Sequence, residues 1–187
     1  MIDGIILAGG KSTRMNTNKM LLEIYGHPLL WHTIHGMKPF VNRIFVVTGK
    51  YDQEIRTVLK DEDVIFVYNP DYELGMYSSV LTGVRQTKND FLLIPGDCPF
   101  VQEDTYKKIL SGSGDIRIVR FNGKDGHPIF ISNIYINELL RCSLDYNLKL
   151  FRDSKKYEII NVQDENILLN INNVFDVHKI SNNERKR

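Results

Sequence analysis

Residues 7–19 read Leu7-Ala8-Gly9-Gly10-Lys11-Ser12-Thr13-Arg14-Met15-Asn16-Thr17-Asn18-Lys19 and close an apolar run. Adjacent glycines let a backbone pass close to a phosphate and turn its N–H groups inward. Ser12 and Thr13 add hydroxyl donors, and Lys11, Arg14 and Lys19 add cations. An arginine fork grips two phosphate oxygens at once, while a lysine supplies a point charge. The chemistry expected of this group is a triphosphate cradle. Its pattern is neither the Walker loop G-x-x-x-x-G-K-[ST] nor the dinucleotide fingerprint G-x-G-x-x-G. The plain alternative is a solvated basic loop.

A carboxylate stands in the second segment, Phe91-Leu92-Leu93-Ile94-Pro95-Gly96-Asp97-Cys98-Pro99. Asp97 just past a buried strand suits Mg²⁺, which takes one or two protein oxygens and completes its shell with water and phosphate. Otherwise it is a turn former or a helix cap. Cys98 reads as a small packed residue, since no histidine stands in an obvious partner position. The third segment runs from Asn69-Pro70 to Gly75-Met76-Tyr77-Ser78-Ser79. Met76, Val80 and Val84 recur at four-residue spacing, which starts a helix near Gly75 with Ser78 and Ser79 in its first turn. Free N–H groups and hydroxyls there can serve an anionic ligand, or simply satisfy the helix terminus.

These residues need a frame that gathers them. Short β-branched runs (Ile2 to Ala8, Arg43 to Thr48, Val64 to Tyr68, Phe91 to Pro95, Ile116 to Phe121, Pro128 to Ser132) alternate with helix-period segments (Pro28 to Met37, Asp52 to Lys60, Met76 to Gln86, Thr105 to Leu110, Ile134 to Arg141). Alternation of this kind predicts βαβ units and a largely parallel sheet covered on both faces. Runs without polar alternation, such as Ile5-Ile6-Leu7-Ala8, suit central strands. In such sheets ligands bind beyond the carboxyl ends of the strands, so the first loop and Asp97 should share one edge. Further on, Tyr157 to Val162 reads as a strand, Ile167 to Ile171 as one more, and Asn173 to Ile180 as a closing helix. Residues 1–180 are expected to form a single domain and 181–187 a frayed basic tail.

Lys plus Arg is 24 against Asp plus Glu 23, a net charge of +1, which argues against broad nucleic-acid or membrane-surface binding. Cys98 and Cys142 lie far apart with no Cys/His cluster, so neither a disulfide framework nor a zinc site is expected. No stretch approaches the ~20 apolar residues of a membrane span. Met1-Ile2-Asp3 lacks the basic start of a signal peptide, and a reduced, cytoplasmic setting is the expectation.

Taken together, the segments resemble the molybdenum cofactor nucleotidyltransferase family, the cytidylyl- and guanylyltransferases acting on molybdopterin. The resemblance rests on Leu-Ala-Gly-Gly-Lys-Ser-Thr-Arg-Met with Lys19, on Gly75-Met76-Tyr77-Ser78-Ser79, on Gly96-Asp97-Cys98-Pro99 and on Gly126-His127-Pro128. It implies a three-layer, Rossmann-like α/β fold of the nucleotide-diphospho-sugar transferase type with a mainly parallel mixed sheet. It also implies nucleotide binding by Leu7, Ala8, Gly9, Gly10, Lys11, Ser12, Arg14, Lys19, Asn69, Ser78 and Ser79, with Arg14, Lys19 and Asp97 catalytic. Mg²⁺ would sit on Asp97 and Asn172. His127, after the glycine-rich turn Asn122 to Gly126, either donates to an acceptor phosphate or is a hydrogen-bonded wall residue. The implied substrates are CTP or GTP and a phosphorylated acceptor such as molybdopterin, with pyrophosphate as product and transient contact with a molybdoenzyme or its chaperone. Gly9 points towards GTP and the Gly-Met-Tyr-Ser-Ser segment towards CTP. A glycine at position 9 is expected to leave room for a purine and so to relax discrimination. Asn170 and Asn172 stand where the family has acids. The rivals are transfer to a sugar or alditol phosphate, and a nucleotide-binding module without turnover.

Overall fold

Strand β1 (Ile2–Ala8) lies inside the sheet, paired on both sides, and its two-residue period divides the molecule. Ile6 and Ala8 point into one hydrophobic core, Ile5 and Leu7 into the other. The computed structural model describes residues 1–10, 18–172 and 176 of the chain. After β1 come a short hairpin, β2 (Glu23–Ile24) and β3 (His27–Pro28), then α1 (Leu29–Met37), β4 (Ile44–Thr48), α2 (Asp52–Val58) and β5 (Ile65–Tyr68). They are followed by α3 (Met76–Val84), β6 (Asp90–Pro95), α4 (Glu103–Ser111), β7 (Ile116–Phe121), β8 (Lys124–Ile131), α5 (Ile136–Leu139), α6 (Leu148–Asp153) and β9 (Glu158–Asn161).

The sheet order is β5-β4-β1-β6-β8-β7-β9, with β8 running against its neighbours and the other described pairs parallel. One face is packed by α1 and α4 through Ile34, Met37, Tyr106 and Ile109. The other is packed by α3, α5 and α6 through Val80, Val84, Leu139 and Phe151. This is the largely parallel sheet covered on both faces that the alternation of runs predicts, with the three-layer, mixed arrangement that the resemblance implies. Parallel pairing of β1 with both β4 and β6 puts their carboxyl ends on one edge, and Gly96 N–H donates to the Leu7 carbonyl there at 2.8 Å. At the opposite edge Asp3, fully buried, accepts from Arg43 (2.7 Å), Thr87 (2.7 Å) and Asn89 (3.1 Å). Burial works against its charge, but these donors outweigh it and hold the carboxyl below its usual range.

Two expectations are corrected. The strand expected from Pro128 starts at Lys124, because Asn122 and Gly123 (φ 47° and 78°) make a two-residue hairpin turn rather than a longer loop. The strand expected over Ile167 to Ile171 is instead a 3-10 turn, Glu165–Leu168, followed by extended chain. Asp164 draws that turn in: one carboxylate oxygen accepts from Asn166 N–H (3.0 Å), the other from Gln102 N–H and Thr105 Oγ1 (2.8 Å each). Hairpin β2–β3, α6 and the 3-10 turn Lys19–Leu21 before the hairpin add to the expected elements; at the hairpin, Tyr25 and Gly26 take positive φ (50° and 81°). The helix expected over Asn173 to Ile180 and the tail 181–187 lie outside the described residues.

Candidate active site

Parallel strands deliver the first loop and Asp97 to one place. Leu7 and Ala8 are buried at the end of β1, Gly9 is buried, and Gly10 is exposed. Gly9 is tightly enclosed: a Cβ added there would lie 2.8 Å from Ser79 Oγ and 3.5 Å from the Thr48 carbonyl. The expectation that this glycine leaves spare room is therefore corrected, because Ser79 takes up the space a methyl would need. Lys11, Ser12 and Arg14 fall outside the described residues.

Lys19, Asp97 and Asn172, up to 153 positions apart, meet in space. Lys19 Nζ donates to Asp97 Oδ2 at 2.5 Å and to Asn172 Oδ1 at 3.4 Å. The segment carrying Asn172 is stitched alongside Asp97 by an Ile171 N–H bond to the Asp97 carbonyl (3.0 Å) and by Cys98 Sγ donating to Asn170 Oδ1 (3.1 Å). Burial first, then the Asp97 charge beside it, pushes the Cys98 thiol up, so it stays protonated and structural. Among the described residues no group of three or more His, Cys, Asp and Glu could hold a metal. The oxygens of Asp97 and Asn172 nevertheless converge on a single point, which the Lys19 ammonium marks with its positive charge. One carboxylate and one amide oxygen are a hard donor pair of the kind Mg²⁺ takes. The residues present fit that ion.

The third segment divides its work. Asn69, fully buried, donates from Nδ2 to Ser78 Oγ (2.9 Å) and Ser79 Oγ (3.0 Å), and its Oδ1 accepts from Asp71 N–H (3.0 Å). Ser78 Oγ is shared between the Asp71 and Gly75 carbonyls, both at 2.8 Å. Asn69 and Ser78 thus shape the loop before α3, and Ser79 is the one of the three that lines the cavity. That cavity, about 270 Å³, is lined by Gly9, Gly10, Lys19, Ser79 and Asp97, and also by Tyr72 and Glu73. Tyr72 and Glu73 carried no signal of their own in the sequence.

His127 lines a second cavity, of about 310 Å³, which shares Leu7, Met76 and Pro95 with the first. Its Nδ1 is buried and has no hydrogen-bond partner among the described residues, so the hydrogen-bonded wall role is not seen at that atom. Burial pushes its pKa down to about 4 despite the opposing pull of Asp97, and the ring is neutral at pH 7. Asn147, Leu148 and Lys149 of the same cavity were not foreseen. The signal was present: Asn147 caps α6 by accepting from Leu150 N–H at 2.9 Å, and Leu148 and Phe151 follow at helical spacing.

An α/β sheet with a glycine turn and a carboxylate on its carboxyl edge defines a nucleotide-handling enzyme of the nucleotidyltransferase class. Residues 4–158 match the model of the MobA-like NTP transferase domain, and the chain belongs to that family. It is 36% identical over 135 residues to the molybdenum cofactor cytidylyltransferase of Escherichia coli (strain K12), covering 70% of each chain. It is 30% identical over 167 residues to the molybdenum cofactor guanylyltransferase of Shewanella loihica, covering 84% of this chain and 78% of that one. A nucleotidyl transferase from Methanothermobacter thermautotrophicus superposes with a TM-score of 0.83 at 22% identity, over 100% of this chain and 99% of that one. No helix among the described residues is long and apolar enough to cross a membrane.

Proposed function

We propose that the protein transfers CMP or GMP from the nucleoside triphosphate to a phosphorylated acceptor of the molybdopterin type and releases pyrophosphate. The observation that carries this reading is the meeting of Lys19, Asp97 and Asn172 beside the Gly9-Gly10 turn. Curated relatives named for both nucleotides support the substrate class. A terminal phosphate oxygen of the acceptor attacks the α-phosphorus in line; a new P–O bond forms and the bond to the β-phosphate breaks. Such a step asks little of the protein beyond alignment and neutralised charge. Backbone N–H groups of Gly9 and Gly10, with Lys11, Ser12 and Arg14 of the same loop, cradle the triphosphate. Lys19 leaves its carboxylate partner to meet the phosphates and the departing pyrophosphate. Asp97 and Asn172 would hold Mg²⁺, which would supply charge screening and polarisation of the phosphate group. No nucleophilic side chain is required, and Cys98 stays out of the chemistry. Pyrophosphate release on mixing CTP or GTP, Mg²⁺ and molybdopterin tests the reading; nucleotide binding with no release on any acceptor would favour a module without turnover.

A further inference from the structure

Lys19 reaches Asp97 and Asn172 on a flexible stem, so its aim depends on the backbone that carries it. That backbone is the 3-10 turn Lys19–Leu21, too short to be stable by itself. Its internal bonds run from Leu21 N–H to the Asn18 carbonyl (3.1 Å) and from Leu22 N–H to the Lys19 carbonyl (3.2 Å). Asn18 adds support from its side chain, where Oδ1 accepts from Met20 N–H at 3.1 Å and so caps the turn. The cap is shielded from water, since Asn18 is only 8% exposed. Met20, also buried, steadies the other side: its Sδ lies 3.0 Å from where a Cβ on Gly96 would stand, one residue before Asp97. The two ends of the Asn18 amide differ. Its oxygen caps, whereas its Nδ2 is buried with no hydrogen-bond partner among the described residues.

We propose that Asn18 is a positioning residue for nucleotidyl transfer, acting through Lys19: its cap fixes the turn that aims the ammonium at the phosphates. The step it serves rests on the transferase reading. Asn18 lines neither cavity, so it offers the substrates no contact of its own. A turn without its cap lets the ammonium wander from the departing pyrophosphate, and misaimed charge costs more in the transition state than in binding.

The test is a double-mutant cycle of Asn18→Ala with Lys19→Ala, at a temperature where thermal midpoints show every variant folded. It is read as pyrophosphate release from CTP and from GTP with Mg²⁺ and molybdopterin, and as calorimetric affinity for the same nucleotides with Mg²⁺. Asn18→Ala should lower kcat/KM about five- to thirtyfold, the usual range for a lost cap, and affinity about two- to fourfold. In the Lys19→Ala background both losses should shrink to less than about 1.5-fold, because the group being aimed is gone. Asn18→Asp keeps the cap oxygen and gives up only Nδ2, so it should stay within about threefold of the parent. Asn18→Leu, which removes the oxygen at similar volume, replaces the alanine variant if that one does not fold. Equal losses in both Lys19 backgrounds would make Asn18 a stability residue and overturn the proposal. Asn18→Asp as slow as Asn18→Ala would also overturn it, by passing the role to Nδ2. Parent protein that binds nucleotide and releases no pyrophosphate would count against the transferase reading alone. The cycle in affinity then decides whether Asn18 acts through Lys19, and parent protein that binds neither nucleotide would overturn both.

Discussion

At the scale of single residues, the account turns on Asp97, whose carboxylate faces Lys19 at 2.5 Å on the edge shared with the glycine turn. Asp97→Asn should keep the fold and lower Mg²⁺-dependent transfer by about 10²-fold or more, since even outer partners of a metal cost 10–100-fold when removed. Pyrophosphate release at the parental rate in that variant would dismiss Asp97 as the metal anchor. Gly9→Ala is a matter of packing before selectivity: its methyl would meet Ser79 Oγ at 2.8 Å. Overpacking of this kind costs about 1–3 kcal/mol, read as a lowered thermal midpoint, and Gly9→Ala with Ser79→Ala should recover most of it. An unchanged midpoint in the single variant would show that the loop yields freely. His127 gives a pH signature. Its ring titrates at about 4 when folded and near 6.5 when unfolded, so the unfolded chain takes up the proton first as pH falls. Its contribution to stability is complete above about 6.5 and is lost progressively towards about 4. Urea midpoints should therefore drop more steeply over that window in the parent than in His127→Gln; parallel curves would contradict the buried neutral ring.

At the scale of elements, the segment that returns to the site is held by Asp164, buried at 1% exposure, whose two oxygens tie the start of α4 to the turn Glu165–Leu168. Asp164→Ala would strand Gln102 N–H and Thr105 Oγ1, and should cost about 2 kcal/mol or more in denaturant unfolding. Because that turn leads directly to Asn172, the same variant should also weaken Mn²⁺ binding measured by electron paramagnetic resonance; undisturbed metal binding would mean that Asn172 is placed independently. Elements with a strong period were legible: β1, β4 and β6 carry continuous apolar runs because both faces are buried. Ile167 to Ile171 reads as a strand only while Asp164 is ignored, since its apolar residues answer to a capping carboxylate rather than to a pleat. Lys124 to Gly126 are polar or small, and only the Asn122-Gly123 turn betrays that they pair with β7.

At the scale of the whole molecule, the edge of the sheet was foreseeable and the distribution of labour along it was not. That Gly9 and Asp97 lie together follows from parallel strands. That Asn69 and Ser78 brace a loop while Ser79 faces the cavity depends on hydrogen bonds no spacing rule contains. The cavity holding His127 was marked in the sequence by that residue alone as an acceptor-side expectation, because its walls come from six strands and helices. On the proposed reading the assembled edge binds the nucleotide, and a triphosphate with Mg²⁺ at a hundredfold its Kd should add about 2.7 kcal/mol of stability, which for a chain of this size is roughly 5–10 °C. No stabilisation by any nucleoside triphosphate would leave the cradle without a ligand.

The most direct measurement is acceptor-dependent pyrophosphate release from CTP and from GTP, with molybdopterin and Mg²⁺ present together. Release is expected to need both the acceptor and the metal, with one pyrophosphate per nucleotide transferred. Strong thermal stabilisation by nucleotide with no pyrophosphate formed from either, in the presence of molybdopterin, would contradict the transferase reading.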